Sequence, residues 1–121
     1  MSKKRDPLWE GRVFEAYAWP MVRRNFPRYE GWVRFEQPTL PSGLRPDNVL
    51  MNEETNDFVV VEMKDVVELT EANVAQVVGY MEELGASKGF VPIAWDTEVP
   101  RRIRRLARRN GITIRRTGWR G

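Results

Sequence analysis

Neither cysteine nor histidine occurs among the 121 residues. Their absence excludes disulfides, thiolate nucleophiles, imidazole bases and the zinc sites built from those side chains. Any catalysis must come from Asp, Glu, Lys, Tyr or Ser, and any bound metal must be a hard cation on oxygen ligands, Mg²⁺ or Mn²⁺ first. Long apolar runs are missing as well. None approaches the roughly 20 residues that span a bilayer, and the basic start "MSKKR" is not followed by the apolar core of a signal peptide. A cytoplasmic protein with no membrane partner is expected.

Lysine is scarce: sixteen of the twenty basic residues are Arg. Arg suits bidentate phosphate contacts, although a GC-rich genome or a hot habitat also favours it. The net charge of +3 hides an asymmetry. Residues 1–100 carry 11 basic against 17 acidic side chains, a net −6, whereas residues 101–121 carry nine Arg and no acid, a net +9. A basic end on an acidic body points to a polyanionic partner.

With no repeat and no dividing linker, one domain is expected over 1–121, with a flexible lead-in at 1–7 and a basic extension at 98–121. "LWEGRVFEAYAWPMVRRNF" has helical periodicity through Val13, Phe14, Tyr17, Ala18, Met21 and Val22, with Pro20 expected to kink or divide it. "GWVRFEQ" alternates as a half-buried strand, "PTLPSGL" reads as a loop, and "RPDNVLMN" and "FVVVEMK" are strands flanking the polar turn "NEETND". Thr70 caps a helix, "EANVAQVVGYMEELG", that stops at Gly85. "GFVPIAW" is a strand whose Pro92 argues for an edge or irregular place. "VPRRIRRLARRNG" is an amphipathic helix with Val99, Ile103, Leu106 and Ala107 on one side, and "ITIRRT" is a short strand. The fold class is α/β (α+β): a helix, a three-stranded antiparallel meander, a crossover helix and a strand, with an added basic helix and short strand.

Charges close the apolar run FVVV. Residues two apart in a strand face the same way, so Glu62 and Lys64 project together while Val61 and Met63 face the other layer. Asp47 opens the neighbouring strand and reaches the level of Glu62. Two readings are open here. Lys64 pairs with a carboxylate at a solvated strand end, or a divalent cation relieves the repulsion between Asp47 and Glu62.

"GLRPD", then fourteen residues, then "EMK" resembles the motif of the PD-(D/E)XK nuclease superfamily, whose restriction-endonuclease-like core has the element order read above. Gly11-x-x-x-Glu15 is similar to the spacing in archaeal Holliday-junction resolvases, with Glu10 a poorer fit to the acidic position. Gln76-x-x-x-Tyr80 is similar to the motif of RecB-type nuclease domains. The resemblance spans residues 11 to about 95 and implies a metal-dependent deoxyribonuclease from a prokaryotic cell or a virus. It implies Asp47, Glu62 and Glu15 as ligands of Mg²⁺, or of Mn²⁺ as a substitute, with the Met63 carbonyl beside them. It further implies Lys64 as the residue that orients water or neutralises phosphoryl charge, and Gln76 and Tyr80 as residues that steer DNA or water. Branched, single-stranded or end-bearing DNA and a homodimer are the expected partners.

Outside those motifs, Arg101, Arg104, Arg105 and Arg108 form one stripe at i, i+3, i+4 and i+7, suited to tracking phosphates. Arg45, inside "GLRPD", is assigned to DNA with them. Trp9, Trp19 and Trp32 are expected in the core or at a subunit contact, and Trp95 and Trp119 are candidates for stacking on bases.

Overall fold

The computed structural model describes residues 7–119, with side chains from residue 12 onward. The lead-in of residues 1–6 and the side chains of Trp9 and Glu10 lie outside the described residues. Helix α1 (Pro7–Asn25) comes first, followed by strand β1 (Trp32–Glu36), strand β2 (Asn48–Asn52), strand β3 (Phe58–Val61), helix α2 (Glu71–Leu84), strand β4 (Lys88–Ile93), helix α3 (Arg101–Arg109) and strand β5 (Ile112–Arg116). Among the described residues no helix is long and apolar enough to cross a membrane.

The five strands form one sheet in the order β1-β2-β3-β4-β5. The first three pair antiparallel, and β3, β4 and β5 pair parallel. Alternation along the strands divides the core into two layers. Val22 of α1 packs with Leu50, Val59, Val61 and Phe90 on one face. On the other, α2 and α3 pack against Val60, Val91, Ile93 and Ile112. The run Val59–Val61 is wholly buried because both faces are covered, each side chain contributing roughly 1.5 to 3 kcal/mol.

Local chemistry places the boundaries. In the β2–β3 turn, Asn52 Oδ1 accepts the N–H groups of Glu54 and Thr55 at 2.9 and 3.1 Å, and Asn56 takes the left-handed backbone at φ 62° that Asn tolerates. A capping box between Thr70 and Asn73 opens α2, and Gly85, at φ 67°, closes it. Gly89 brings α2 close to the sheet. A Cβ there would lie 2.9 Å from Val77 Cγ1 and 3.0 Å from Met81 Sδ.

Two proline expectations are corrected. Helix α1 runs through Pro20 undivided. The proline removes the N–H that would bond Ala16, and both residues are exposed, so water can take that carbonyl. Strand β4 is interior, not an edge, despite Pro92. The Pro92 carbonyl accepts from Lys64, in the segment that follows β3, so its missing N–H faces the β3 side too and removes a single ladder bond. Val91 and Ile93 face β5 unimpaired.

Candidate active site

The pairing of β3 with β2 ends at Val61, but the chain continues beside β4. The Glu62 N–H donates to the Phe90 carbonyl at 3.1 Å and the Lys64 N–H to the Pro92 carbonyl at 2.9 Å. Strand alternation therefore persists, carrying Glu62 and Lys64 to the α2 face with Val60 and Met63 to the α1 layer. Asn48 pairs with Val61, so one further step in that register places Asp47 opposite Glu62, on the same face.

The two acids clasp one another through the backbone. Glu62 Oε1 accepts the Asp47 N–H at 2.6 Å, and Asp47 Oδ2 accepts the Met63 N–H at 2.9 Å. Lys64 Nζ lies 3.6 Å from Glu62 Oε2 and donates to Gln76 Oε1 at 2.8 Å. One helical turn beyond Gln76, Tyr80 is buried in the α2 layer. Asp47, Glu62, Lys64, Gln76 and Tyr80 are thus brought together.

Burial, then the charge of Asp47, pushes the Glu62 carboxyl from 4.5 up to about 7, against the pull of the Asp47 N–H and Lys64. Burial also raises the Asp47 carboxyl. The Met63 N–H opposes that rise, nearby Glu15 adds to it, and Lys64 opposes it. The Tyr80 hydroxyl is raised by burial and by the Glu62 charge.

The donors fit a hard cation. The clasp occupies one oxygen of each acid and leaves Asp47 Oδ1 and Glu62 Oε2, the latter shared with Lys64, for a metal whose charge would offset the burial and the repulsion that raise the Glu62 carboxyl. Among the described residues no three acidic side chains gather as a metal-binding group. Glu15 stands apart on the α1 side. Its Oε1 accepts from Arg34 Nη2 at 2.9 Å and from Asn48 Nδ2 at 2.8 Å. Arg34 also bonds Asn48 Oδ1 and Glu36 Oε1, at 2.8 and 3.1 Å, and its guanidinium carbon lies 3.7 Å from the centre of the Trp19 ring.

Sequence reasoning missed Arg34 and Asn48. The available signals were a polar residue directly after Asp47 in a buried strand and the alternation that aligns Trp32, Arg34 and Glu36. It also read "PTLPSGL" as a plain loop, yet this segment is fastened. Leu40 is buried in the α2 layer, and Glu83 accepts from both the N–H and the Oγ of Ser42 at 2.7 Å. Gln37, at φ 42°, donates its N–H to the Asp47 carbonyl at 2.8 Å. The approach to Asp47 is held at both ends.

Arg45 is exposed two residues before Asp47, and Arg101, Arg104, Arg105 and Arg108 are exposed on α3 while Ile103 and Ala107 are buried opposite. Arg101 starts α3 at the end of the sheet where the acids lie. Arg108 lies at the other end, beside Lys88. Trp119 is half-buried, packing on Phe14 and Tyr17 and donating to Asp65 at 3.2 Å, so the expected stacking surface is largely covered by the protein itself. Trp95 is exposed.

Comparison with solved structures supports this fold. EndoMS bound to double-stranded DNA matches with a TM-score of 0.60 at 20% identity, over 88% of this chain and 45% of that one. SfsA of Pyrococcus furiosus in complex with Ca²⁺ matches with 0.54 at 14% identity, over 92% and 57%. EndoMS in its apo form matches with 0.51 at 16% identity, over 100% and 49%. This chain spans about half the length of those chains. No curated protein matches the sequence. The expected restriction-endonuclease-like architecture is present, and the family profile of the PD-(D/E)XK nuclease superfamily matches residues 28–106. With that match covering Asp47, Glu62 and Lys64 and strands β1 to β4, the chain belongs to the PD-(D/E)XK nuclease superfamily.

Proposed function

We propose that this protein is a Mg²⁺-dependent DNA nuclease, with Mn²⁺ as a substitute, that hydrolyses phosphodiester bonds. We further propose that it is a structure-selective endonuclease of the junction-resolvase type, a single-domain homodimer working in the cytoplasm. The juxtaposition of Asp47, Glu62, Lys64 and Gln76 carries this reading, and the complex of EndoMS with double-stranded DNA supports DNA as the polymer. Asp47 and Glu62 offer two oxygens outside the clasp, Glu62 Oε2 beside Lys64 Nζ, at a buried point where their own repulsion favours a cation. A divalent ion held there supplies Lewis-acid charge and a water of lowered pKa. Lys64, oriented by Gln76, neutralises charge building on the phosphoryl oxygens. Glu15 places its charge near Asp47 and adds to the field that retains the cation. Arg45 and the α3 arginines hold phosphates without reading bases.

A second reading, a RecB-like nuclease that trims free ends or single strands, is favoured by the contact between Gln76 and Lys64, since Gln76 belongs to the Gln-x-x-x-Tyr motif. Cleavage of a nicked four-way junction, a closed single-stranded circle and a linear duplex, with and without Mn²⁺, separates the two. Symmetric junction cuts are expected, whereas activity confined to free ends favours the second reading. If no DNA is cut, or if Asp47→Ala and Glu62→Ala retain metal-dependent cleavage, the nuclease reading is wrong.

A further inference from the structure

A second cationic surface lies on the α1 face of the β4–β5 edge, across the sheet from the face that carries Glu62 and Lys64. The C-terminal end of α1 (Asn25) and the following Phe26, the start of β4 (Ser87, Lys88), the last turn of α3 (Arg108) and β5 (Arg115) line one groove. No carboxylate lines it, and among the described residues Lys88, Arg108 and Arg115 make no ion pair. All three are exposed. Two helix C-termini meet there, each worth about half a negative charge, which is too little to balance three full positive charges. An adjoining groove along the same edge adds Arg24 and Arg116, again with no acid.

We propose that this β5-edge groove is a second docking surface for a nucleic-acid sugar–phosphate backbone, separate from the cleavage site. The inference builds on the nuclease reading and extends it. Lys64 pairs with Ile93 and Arg115 with Pro92, so the groove starts near the level of the catalytic lysine on the other face of the sheet and extends about 17 Å along β4 to Lys88. At about 3.4 Å per nucleotide step, that length accommodates roughly five nucleotides. Contacts from Lys and Arg to phosphates position nucleic acid without reading its sequence.

The test compares wild type with the Lys88→Gln/Arg115→Gln double variant, whose folding is checked by thermal melting. Affinity for a duplex of about 20 base pairs is measured in EDTA from about 50 to 200 mM salt. Losing two phosphate contacts lowers the slope of log K against log salt by about 1.8, so wild type loses roughly tenfold more affinity than the variant over that range. Equal slopes overturn the proposal. If equal slopes accompany weaker binding to vesicles of equal parts phosphatidylglycerol and phosphatidylcholine, the groove faces membrane instead. Because binding is read without metal, a reduced slope in a protein that cuts no DNA supports the groove and overturns only the nuclease reading. Cleavage with equal slopes does the reverse.

Discussion

Replacing Glu62 with Gln preserves the shape of the side chain and its capacity to accept the Asp47 N–H, but removes the charge. In the folded protein this carboxyl is pushed from 4.5 up to about 7, first by burial and then by Asp47. Between those values the native state binds more protons than the unfolded chain, so stability falls as pH rises through the window. At about 1.4 kcal/mol per pH unit the full effect is about 3 kcal/mol, reached above pH 7 and nearly absent below pH 4.5. Glu62→Gln should therefore be more stable than wild type at pH 8 in EDTA, by roughly 2 to 3 kcal/mol, and differ from it by less than about 1 kcal/mol at pH 5. Urea denaturation at the two pH values measures this. Adding Mg²⁺ at pH 8 should stabilise wild type and leave the variant nearly unchanged, because the cation then relieves the same repulsion. A stability difference that does not vary with pH, or a variant weaker than wild type at pH 8, would refute the account of this pair.

Gln76→Ala frees the Lys64 ammonium from its 2.8 Å partner. Since Gln76 is exposed, melting should not change, while single-turnover DNA cleavage should slow by about tenfold to a hundredfold; an unchanged rate removes Gln76 from the site. Arg34→Met deprives Glu15, Asn48 and Glu36 of a shared donor and should destabilise the fold by about 2 kcal/mol. Adding Glu15→Gln should restore part of that loss in urea denaturation. A loss too small to measure would mean that this network does not anchor α1 to the sheet.

Much of the fold was legible because it depends on local pattern. Apolar alternation located the strands, Thr70 and Gly85 bounded α2, and the two-residue period predicted that Glu62 and Lys64 share a face. Proline neither divided α1 at position 20 nor put β4 at an edge at position 92, because its effect depends on which neighbour needs the missing N–H, and that neighbour is set by the tertiary fold. The depth of Tyr80 depends on tertiary structure in the same way. Helical periodicity identifies a face, whereas burial depends on how far the sheet and the loop carrying Leu40 extend over it.

By itself the sequence determined the chemical alphabet of the site. Without cysteine or histidine the chemistry fell to Asp, Glu, Lys, Tyr or Ser, in motifs whose spacing follows from strand and helix periods. Tertiary structure alone decided how those groups are partnered. The clasp of Asp47 and Glu62 on each other's backbone, the capture of Glu15 by Arg34 and Asn48, and the meeting of Lys88 with Arg108 and Arg115 all join distant segments. Their geometry follows from sheet register and helix packing, which no short window of residues encodes.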